Sequence, residues 1–252
     1  MKDTRRKRME QFVQERHSVS MEQLCREFSV SMNTVRADVA YLVEVGAVEK
    51  IYGGVLAVSH HQVPLFEQRA GTAVKEKLKI AQAAAAFIED HESIFIDAGT
   101  TAMHLIDFLS PDKQVTIITG NLYVLSHAME KPKVELIILP GKLNRRTNAV
   151  ADGSTLEFLS RYHFNKAFMG ASGISPDGKL NVSTYPEYEV KKLAISQCDQ
   201  SILLADSLKF GASGLMSYGS LDDIQMLITQ WDIPQGIVRR CKETGIRLVQ
   251  TG

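Results

Sequence analysis

Short polar turns rich in glycine and hydroxyl residues follow several apolar runs of this sequence. The clearest is Asp97-Ala98-Gly99-Thr100-Thr101, which stands between an apolar run and a predicted helix. Two threonine hydroxyls and the backbone N–H groups of such a turn can all donate hydrogen bonds to an anion. The turn therefore predicts a phosphate cradle formed by its backbone N–H groups and the Thr100 and Thr101 hydroxyls.

Three further turns have the same character. They are Thr119-Gly120-Asn121, Pro140-Gly141-Lys142 and Gly170-Ala171-Ser172-Gly173. Each alone is what an ordinary strand-to-helix connection requires. Because ligands bind beyond the carboxyl ends of parallel strands, four such turns together predict one polar pocket. Two lysines, Lys191 and Lys209, could supply the positive charge that a bound phosphate needs.

Motifs for catalysis, nucleotide cofactors and metals are not found in the sequence. It contains no Ser-His-Asp set or carboxylate pair at telling spacing, and no glycine-rich nucleotide-binding motif. The cysteines Cys25, Cys198 and Cys241 are far apart, which disfavours a disulfide framework or a zinc site. The adjacent His60 and His61 suit a linker better than a metal site. We therefore predict no catalytic residue, no cofactor and no metal.

Residues 19–39 have the pattern of a helix, a tight turn and a second helix. Ser20 is the predicted N-cap of the first helix, and Gln23 completes a capping box. Ser31 caps the second helix, whose apolar residues repeat on one face. A glycine ends that helix, and the run at 48–56 alternates like a strand pair around a glycine turn. This layout is typical of a winged helix-turn-helix, which places one helix in the DNA major groove.

Polar and basic residues on the outer side of this unit predict contacts with DNA. Amide, hydroxyl and guanidinium groups suit base edges and phosphates, and a recognition helix reads bases mainly with its first residues. The predicted DNA-binding residues are Arg5, Arg6, Ser31, Asn33, Thr34, Arg36, Lys50 and Tyr52. Arg36 is the strongest candidate among them, and a solvated helix face is the alternative interpretation.

The rest of the chain alternates short apolar runs with helical segments. A helix is predicted over 75–90, and strands are predicted at 93–97, 115–119, 134–139, 166–169, 201–205, 226–229 and 247–249. Continuous apolar strands separated by helices predict a parallel sheet covered on both faces, an α/β fold. The predicted organisation is a winged helix-turn-helix domain at 1–57, a linker at 58–74 and an effector-binding domain at 75–252.

Composition sets few further limits on this chain of 252 residues. Lys and Arg number 29, as do Asp and Glu, so the net charge is zero and argues neither for nor against nucleic acid. No apolar run approaches the ~18 residues of a membrane span. The arginine-rich N-terminus lacks the apolar core of a signal peptide. We expect a cytoplasmic protein without a membrane partner.

Two sets of motifs occur in a recognisable order along nearly the whole chain. They are Val30-Ser31-Met32-Asn33-Thr34-Val35-Arg36-Ala37-Asp38-Val39, Tyr52-Gly53-Gly54, Ile96-Asp97-Ala98-Gly99-Thr100-Thr101, Phe168-Met169-Gly170-Ala171 and Leu204-Ala205-Asp206-Ser207-Leu208-Lys209-Phe210-Gly211. With these motifs the chain resembles the DeoR family of bacterial sugar-metabolism regulators. The resemblance implies a DNA-binding transcriptional regulator, a repressor of a carbohydrate-utilisation operon.

The resemblance also implies a C-terminal domain similar to ribose-5-phosphate isomerase that binds a phosphorylated sugar as effector. The implied effector-binding residues are Asp97, Gly99, Thr100, Thr101, Asn121, Gly141, Gly170, Glu187, Lys191 and Lys209. Paired operator half-sites need paired recognition helices, so we expect a homo-oligomer, a dimer or a tetramer. The alternatives are a sugar-phosphate isomerase-like enzyme with an accessory N-terminal domain and a protein whose winged unit contacts other proteins.

Overall fold

The structure is a computed structural model that describes residues 2–16, 18–45, 47–51, 53–57 and 64–252. The chain forms two compact units, Met1–Pro64 and Leu65–Gly252. Tyr52, His60 and His61 lie outside the described residues.

The N-terminal unit combines helices with a small antiparallel sheet. Its elements are α1 (Lys2–Arg16), β1 (Ser18–Ser20), α2 (Met21–Phe28), α3 (Met32–Glu44), β2 (Val48–Ile51) and β3 (Gly54–Ala57). The strands β2 and β3 form the predicted wing, and β1 pairs with β3 on the other side. Gly54 permits that pairing, since a Cβ there would lie 2.5 Å from the Val19 carbonyl oxygen.

Local hydrogen bonds set the boundaries of the helix-turn-helix. The Ser20 hydroxyl accepts from the Gln23 N–H at 3.1 Å, and the Gln23 side chain accepts from the Ser20 N–H at 2.8 Å. Ser29 ends α2 in the left-handed conformation with φ of 50°. The Ser31 hydroxyl accepts from the Thr34 N–H and begins α3. The predicted capping box, turn and second helix are therefore confirmed.

The C-terminal unit combines helices with parallel and antiparallel strands. Its helices are α4 (Phe66–Gly71), α5 (Val74–Ala85), α6 (Leu105–Phe108), α7 (Leu122–Ala128), α8 (Gly153–Leu159), α9 (Tyr185–Ser196) and α10 (Gln235–Thr244). Its strands are β4 (Ser93–Ile96), β5 (Val115–Thr119), β6 (Val134–Ile138), β7 (Leu143–Asn144), β8 (Ala149–Val150), β9 (Phe164–Met169), β10 (Gly173–Ile174), β11 (Lys179–Val182), β12 (Cys198–Ala205), β13 (Met216–Ser220), β14 (Met226–Gln230) and β15 (Arg247–Thr251).

Seven parallel strands form the main sheet in the order β15-β14-β12-β9-β4-β5-β6. Along the chain, β4, β5 and β6 therefore lie side by side in that order. β9 then pairs with the other side of β4, and β12, β14 and β15 follow in order toward the opposite edge. All the strands that the sequence predicts lie in this sheet, which confirms the α/β fold. A second sheet, β10-β11-β13, and the hairpin β7-β8 are antiparallel.

Alternating residues of the strands belong to two hydrophobic cores, one on each face of the sheet. In β4, Ile94 and Ile96 belong to the core that contains Ile80 of α5, whereas Phe95 belongs to the core that contains Ala194 of α9. This alternation follows from the period of two in an extended chain. Both faces are covered by helices, which explains why the strands are apolar throughout.

Two details of the segment before the sheet differ from the predictions. The helix predicted over 75–90 ends at Ala85, because Phe87 and Ile88 donate tighter turn bonds to Ala84 and Ala85 while Ile88 becomes buried. The linker predicted at 58–74 contains α4, which was not expected. Phe66 of α4 is buried in the core that holds α5, and burial of this ring favours a helix where the sequence lacks a clear apolar period.

Candidate functional site

β5 and β6 lie on one side of β4, whereas β9 and the later strands of the main sheet lie on its other side. The turns that follow β4 and β9 meet. Connections after these strands leave toward opposite sides, so a crevice forms beyond the carboxyl ends of the strands. The Gly170 N–H, directly after β9, donates to Asp97 Oδ2, directly after β4, at 2.9 Å. Two of the predicted polar turns therefore lie in contact at the switch point.

A buried ion pair occupies this crevice. Lys191 Nζ of α9 binds Asp97 Oδ2, and both side chains are buried. Lys191 Nζ also donates to the Gly170 carbonyl oxygen at 2.9 Å, and the Tyr218 hydroxyl donates to the same oxygen at 2.9 Å. Burial, followed by the charge of Asp97, raises the pKa of Tyr218 well above its usual value, so its hydroxyl remains a donor.

Gly99 and Gly170 let the two turns approach the Asp97 carboxylate. A Cβ at Gly170 would lie 3.1 Å from Asp97 Oδ2, and one at Gly99 would lie 3.4 Å from the same atom. A side chain at Gly170 would crowd the carboxylate, whereas a Cβ at Gly99 would be in ordinary van der Waals contact with it. The glycines predicted for the pocket therefore have a packing role at this point of the structure.

Asn121 joins the turn after β5 to the turn after β4. Its Nδ2 donates to the Asp97 carbonyl oxygen at 3.1 Å, and its Oδ1 accepts from the Tyr123 N–H at 3.0 Å, which caps α7. The Thr119 hydroxyl donates to the Ile96 carbonyl oxygen at 2.6 Å. These buried bonds fix the turn after β5 against the turn after β4. Asn121 therefore supports the turn that carries Thr100 and Thr101.

Thr100 and Thr101 are buried beside this network. The two residues are 3% and 5% exposed. Thr101 directly precedes the helical turn Ala102–His104, and its side chain makes no capping hydrogen bond to that turn. The two hydroxyls therefore stand at the start of a helical segment, where the sequence predicts them.

A small cavity borders the ion pair. Its volume is about 30 Å³, which is room for about one or two water molecules. Asp97, Glu187 and Lys191 line it together with Asn144 and Thr147 of the β7-β8 hairpin. The Thr184 hydroxyl donates to Glu187 Oε2 at 2.9 Å and holds that carboxylate at the wall.

Gly141 does not line this cavity, although the sequence predicts it as an effector-binding residue. It has φ of 133°, and a Cβ there would lie 2.7 Å from Thr155 Oγ1 and 2.9 Å from Asp152 Oδ1. Asp152 and Thr155 form the capping box of α8. The close approach of this cap accounts for the glycine, and its contact with an effector stays a prediction.

Lys209 belongs to a group of cations that we call the cation cluster, formed by Arg69 of α4, Lys77 of α5 and Lys209. Lys77 is buried, and its Nζ donates to the Arg69 carbonyl oxygen. The charge of Arg69 disfavours the charged form of Lys209, and the charges of Arg69 and Lys209 both disfavour that of Lys77. Arg69 and Lys77 were not predicted from the sequence. One signal was available: Lys77 lies on the apolar face of its helix, in line with Ile80, Ala81 and Ala84.

Burial disfavours the charged form of every member of the cation cluster. It lowers the pKa of Lys77 to about 8, although Asp206 acts in the opposite direction. Burial also lowers the pKa of Lys209 and of Arg69, and nearby carboxylates only partly offset this effect. Desolvated cations gain from an anion placed among them.

The helix α3 presents the predicted DNA-binding residues on its outer side. Asn33 and Arg36 are exposed and Thr34 is half-buried, while Val35 and Val39 point into the core. The Ser31 hydroxyl bonds with the Thr34 hydroxyl at 3.0 Å and caps the helix. The start of α3 therefore carries amide and guanidinium groups that can reach a groove.

Arg5 and Arg6 have a partner inside the unit that the sequence analysis missed. Their Nε atoms donate to the two oxygens of Asp38 at 2.7 Å and 2.9 Å, and Asp38 is buried in α3. Burial acts to raise the pKa of Asp38, but the hydrogen bonds and charges of both arginines outweigh it and lower the pKa. The pair joins α1 to α3, and DNA contact by Arg5 and Arg6 stays a prediction.

Lys50 is exposed on β2 of the wing. Tyr52, the other predicted wing contact, lies outside the described residues. Across the described part of the chain, every helix is too short or too polar to span a bilayer. In that same part, no three His, Cys, Asp or Glu side chains gather where they could hold a metal ion.

Comparisons with known proteins cover both units. Residues 5–61 match the DeoR-like helix-turn-helix domain, and residues 72–230 match the DeoR C terminal sensor domain. Among curated proteins, the HTH-type transcriptional regulator IolR of Bacillus subtilis is 38% identical over 243 residues, which is 96% of this chain and 97% of that protein. The Glycerol-3-phosphate regulon repressor of Escherichia coli is 29% identical over 238 residues, 94% of each protein.

Among solved structures, ribose 5-phosphate isomerase A from Methanocaldococcus jannaschii matches 53% of this chain and 53% of its own, with a TM-score of 0.39 and 20% identity. The family matches include the helix-turn-helix and most of the sheet that surrounds the Asp97–Lys191 pair. The chain therefore belongs to the DeoR family of transcriptional regulators, with a DeoR-like helix-turn-helix domain followed by a DeoR C-terminal sensor domain.

Proposed function

We propose that this protein is a repressor of a carbohydrate-utilisation operon, controlled by a phosphorylated sugar that binds in the crevice of the C-terminal unit. The observation that supports the effector proposal is the buried Asp97–Lys191 pair next to the turn that carries the Thr100 and Thr101 hydroxyls. Backbone N–H groups and hydroxyls of such a turn suit a phosphate. The name of one relative, Glycerol-3-phosphate regulon repressor, supports a phosphorylated polyol or sugar. Action on operator DNA would place the protein in the cytoplasm.

The effector would act by changing the affinity for DNA. A coupling free energy of ~1–3 kcal/mol changes operator affinity about 5- to 150-fold, and the operator changes effector affinity by the same factor. Paired half-sites require paired recognition helices, so the active species would be a homo-oligomer, a dimer or a tetramer. A ligand of this size needs more room than the observed cavity, so the walls of the crevice would have to move to admit it.

A thermal-shift screen against sugar phosphates tests the effector proposal directly. A ligand at ~100 times its Kd adds about 2.7 kcal/mol to stability. The screen should identify a stabilising sugar phosphate, and the same compound should change binding to the operator. The buried Asp97–Lys191 pair also suits the alternative of a sugar-phosphate isomerase-like enzyme. Conversion of pentose or hexose phosphates by the purified protein would favour that alternative.

Arg36→Ala should weaken specific operator binding by about 1–3 kcal/mol, because an arginine at the start of a recognition helix can read a base edge. Operator titrations at one fixed salt concentration measure the change. Arg239→Ala is the matched control, since Arg239 is exposed on α10 of the other unit. Equal affinities of the Arg36 variant and the wild type would remove Arg36 from the interface.

Thr100→Val should abolish the response of operator binding to the effector, because it removes one buried hydroxyl of the cradle at nearly constant volume. The measurement is the ratio of operator affinities with and without a sugar phosphate found in the thermal-shift screen. Thr244→Val, at an exposed position of α10, is the control. A Thr100 variant with the wild-type ratio would contradict the phosphate-cradle assignment.

A further inference from the structure

A single buried carboxylate joins the first helix of the N-terminal unit to α3, the predicted recognition helix. Asp38 is buried in α3. Its Oδ2 accepts from Arg5 Nε at 2.7 Å, and its Oδ1 accepts from Arg6 Nε at 2.9 Å. Both arginines belong to α1, so each carboxylate oxygen binds one side chain of the other helix. This arrangement fixes two cations beside the helix that the sequence predicts to read DNA.

The contact with Asp38 uses the inner nitrogen of each guanidinium group. A guanidinium carries five N–H donors, one on Nε and four on the two Nη atoms. The bonds to Asp38 are made by Nε, so the Nη donors of Arg5 and Arg6 are not needed for them. The two side chains are 27% and 13% exposed, whereas that of Asp38 is 1% exposed. An arginine held at Nε can still bind a phosphate through both Nη atoms, with two parallel hydrogen bonds.

Arg6 has a second attachment on α3. Its guanidinium carbon lies 3.9 Å from the centre of the Tyr41 ring, which is a cation–π distance. Tyr41 follows Asp38 by three positions, so both residues lie on one side of α3. The ring covers a flat face of the guanidinium and does not take up its N–H donors. Two residues of α3 therefore fix the orientation of Arg6 without using its Nη groups.

The charges of this group do not cancel. One carboxylate is paired with two guanidinium groups, which leaves one net positive charge. Lys7 and Arg8 follow on α1, and both are exposed. An ion pair that served only to join two helices would need one cation for one carboxylate. The excess of positive charge at this surface favours a polyanion as its partner.

The group lies close to residues that the sequence predicts to contact DNA. Thr34 precedes Asp38 by four positions, which places both on one side of α3 and about 6 Å apart along its axis. The Thr34 hydroxyl bonds with the Ser31 hydroxyl at the start of the helix. When a recognition helix enters the major groove, arginine contacts with the neighbouring phosphates fix its position. Asp38 therefore attaches its arginines within about one turn of the residues predicted to read bases.

We propose that Asp38 is a positioning residue for DNA binding: it holds Arg5 and Arg6 at their Nε atoms so that their Nη groups bind phosphates of the DNA backbone beside α3. This role requires DNA binding by the N-terminal unit, which the proposed function includes, and it does not depend on the effector. An arginine that is ordered before binding loses less conformational entropy when it meets DNA. An acidic residue thereby strengthens binding to a polyanion.

The salt dependence of DNA binding tests the phosphate contacts. The full chain is titrated into a fluorescent DNA duplex of mixed sequence at several NaCl concentrations, and the anisotropy gives the Kd. Arg5→Gln and Arg6→Gln should each make the plot of log Kd against log [NaCl] shallower by about 0.9 for every bound protomer, because one phosphate contact is lost. Arg239→Gln, at an exposed position of α10, is the control and should keep the wild-type slope. A loss of packing alone would lower the Tm and leave the slope unchanged. Wild-type slopes in both the Arg5 and Arg6 variants would overturn the phosphate contacts.

Asp38→Asn separates positioning from charge. The substitution removes one negative charge, so electrostatic attraction alone predicts tighter DNA binding. Positioning predicts the opposite: the Kd should rise about three- to tenfold, because the DNA must then order both arginines. Glu44→Gln, at an exposed position of the same helix, makes the same change of charge and should not weaken binding. An Asp38 variant that binds as tightly as the Glu44 variant would show that Asp38 does not position the arginines.

Arg5→Lys tests the same contact in a variant that leaves the buried Asp38 unchanged, and it decides the matter if Asp38→Asn does not fold. Lysine keeps the charge but lacks both the Nε donor and the planar fork. The slope should therefore stay at the wild-type value while the Kd rises about threefold or more. A wild-type Kd would overturn the hold at Nε.

These results are separable from the effector proposal. If a sugar phosphate releases the operator while the Arg5, Arg6 and Asp38 variants bind like wild type, the role of Asp38 is wrong and the proposed function stands. If the wild-type protein binds neither the mixed duplex nor an operator, both fail.

Discussion

Replacing Lys191 by methionine is expected to lower the free energy of unfolding of the C-terminal unit by about 3–5 kcal/mol, the usual cost of removing one partner of a buried ion pair. Asp97 would remain 2% exposed without its cation. Among the described contacts, the backbone N–H of Gly170 would be the one remaining donor to the Asp97 carboxylate. Urea unfolding followed by far-UV circular dichroism measures the loss, and Lys192→Met at the exposed neighbouring position is the control.

A second substitution separates the ion pair from simple packing. Asp97→Asn removes the charge that Lys191→Met leaves uncompensated, and the Asn amide oxygen can still accept from the Gly170 N–H. The double variant should therefore recover much of the lost stability, and the double-mutant cycle should give a large coupling energy. Additive losses from the two substitutions would show that the charges act independently. A single-variant loss below about 1 kcal/mol would contradict the assigned role of the pair.

The free energy of unfolding should rise between about pH 8 and pH 10.5. The contribution of Lys77 to this rise should be on the order of 3 kcal/mol. Lys77 has a pKa of about 8 in the folded protein because burial disfavours its charge, against 10.5 in its unperturbed state. Between these two values the unfolded chain binds more protons than the folded chain, so stability rises with pH. Below pH 8 the lysine is charged in both states, and the full cost of burying the charge is present.

Comparison with Lys77→Met isolates this effect from the other groups that titrate in the same range. The charged and polar groups that act on Lys77 are Asp206, Lys209, Arg69 and Glu76. Methionine carries no charge, so the difference in unfolding free energy between wild type and variant should shift by the predicted amount across this interval. Urea unfolding at several pH values measures the difference, and Lys79→Met provides the baseline. A difference that does not change with pH would mean that Lys77 is solvated.

Local patterns predicted the elements of this protein well. The capping box at Ser20, the cap at Ser31 and the wing strands depend on residues within a few positions of each other, and all were confirmed. The strands of the main sheet were predicted because an apolar run buried on both faces has few other solutions. The helix α4 was missed, since it depends on burial of Phe66 in a core assembled from distant segments.

Residues at the candidate sites were less predictable than the elements that carry them. The glycine at 141 fitted the pattern of a binding turn, but its nearest neighbours belong to the cap of α8. Arg5 and Arg6 had the pattern of a basic segment that binds DNA, yet both contact Asp38, more than 30 positions away. Charge patterns in a sequence do not identify such partners, because their distance depends on how helices pack.

Caps, turns and apolar periods act between near neighbours, so the helix-turn-helix and the strands of the main sheet could be predicted from the chain alone. The strand order, and with it the crevice between β4 and β9, depends on the packing of distant segments. Asp97 and Lys191 are 94 positions apart. They meet because β9 pairs with the side of β4 opposite to β5, which brings the turns after β4 and β9 together. The same packing brings Lys77 to Arg69 and Glu76 to Ser207 in the turn after β12, and it buries the charge of Lys77, whose energetic cost the sequence does not reveal.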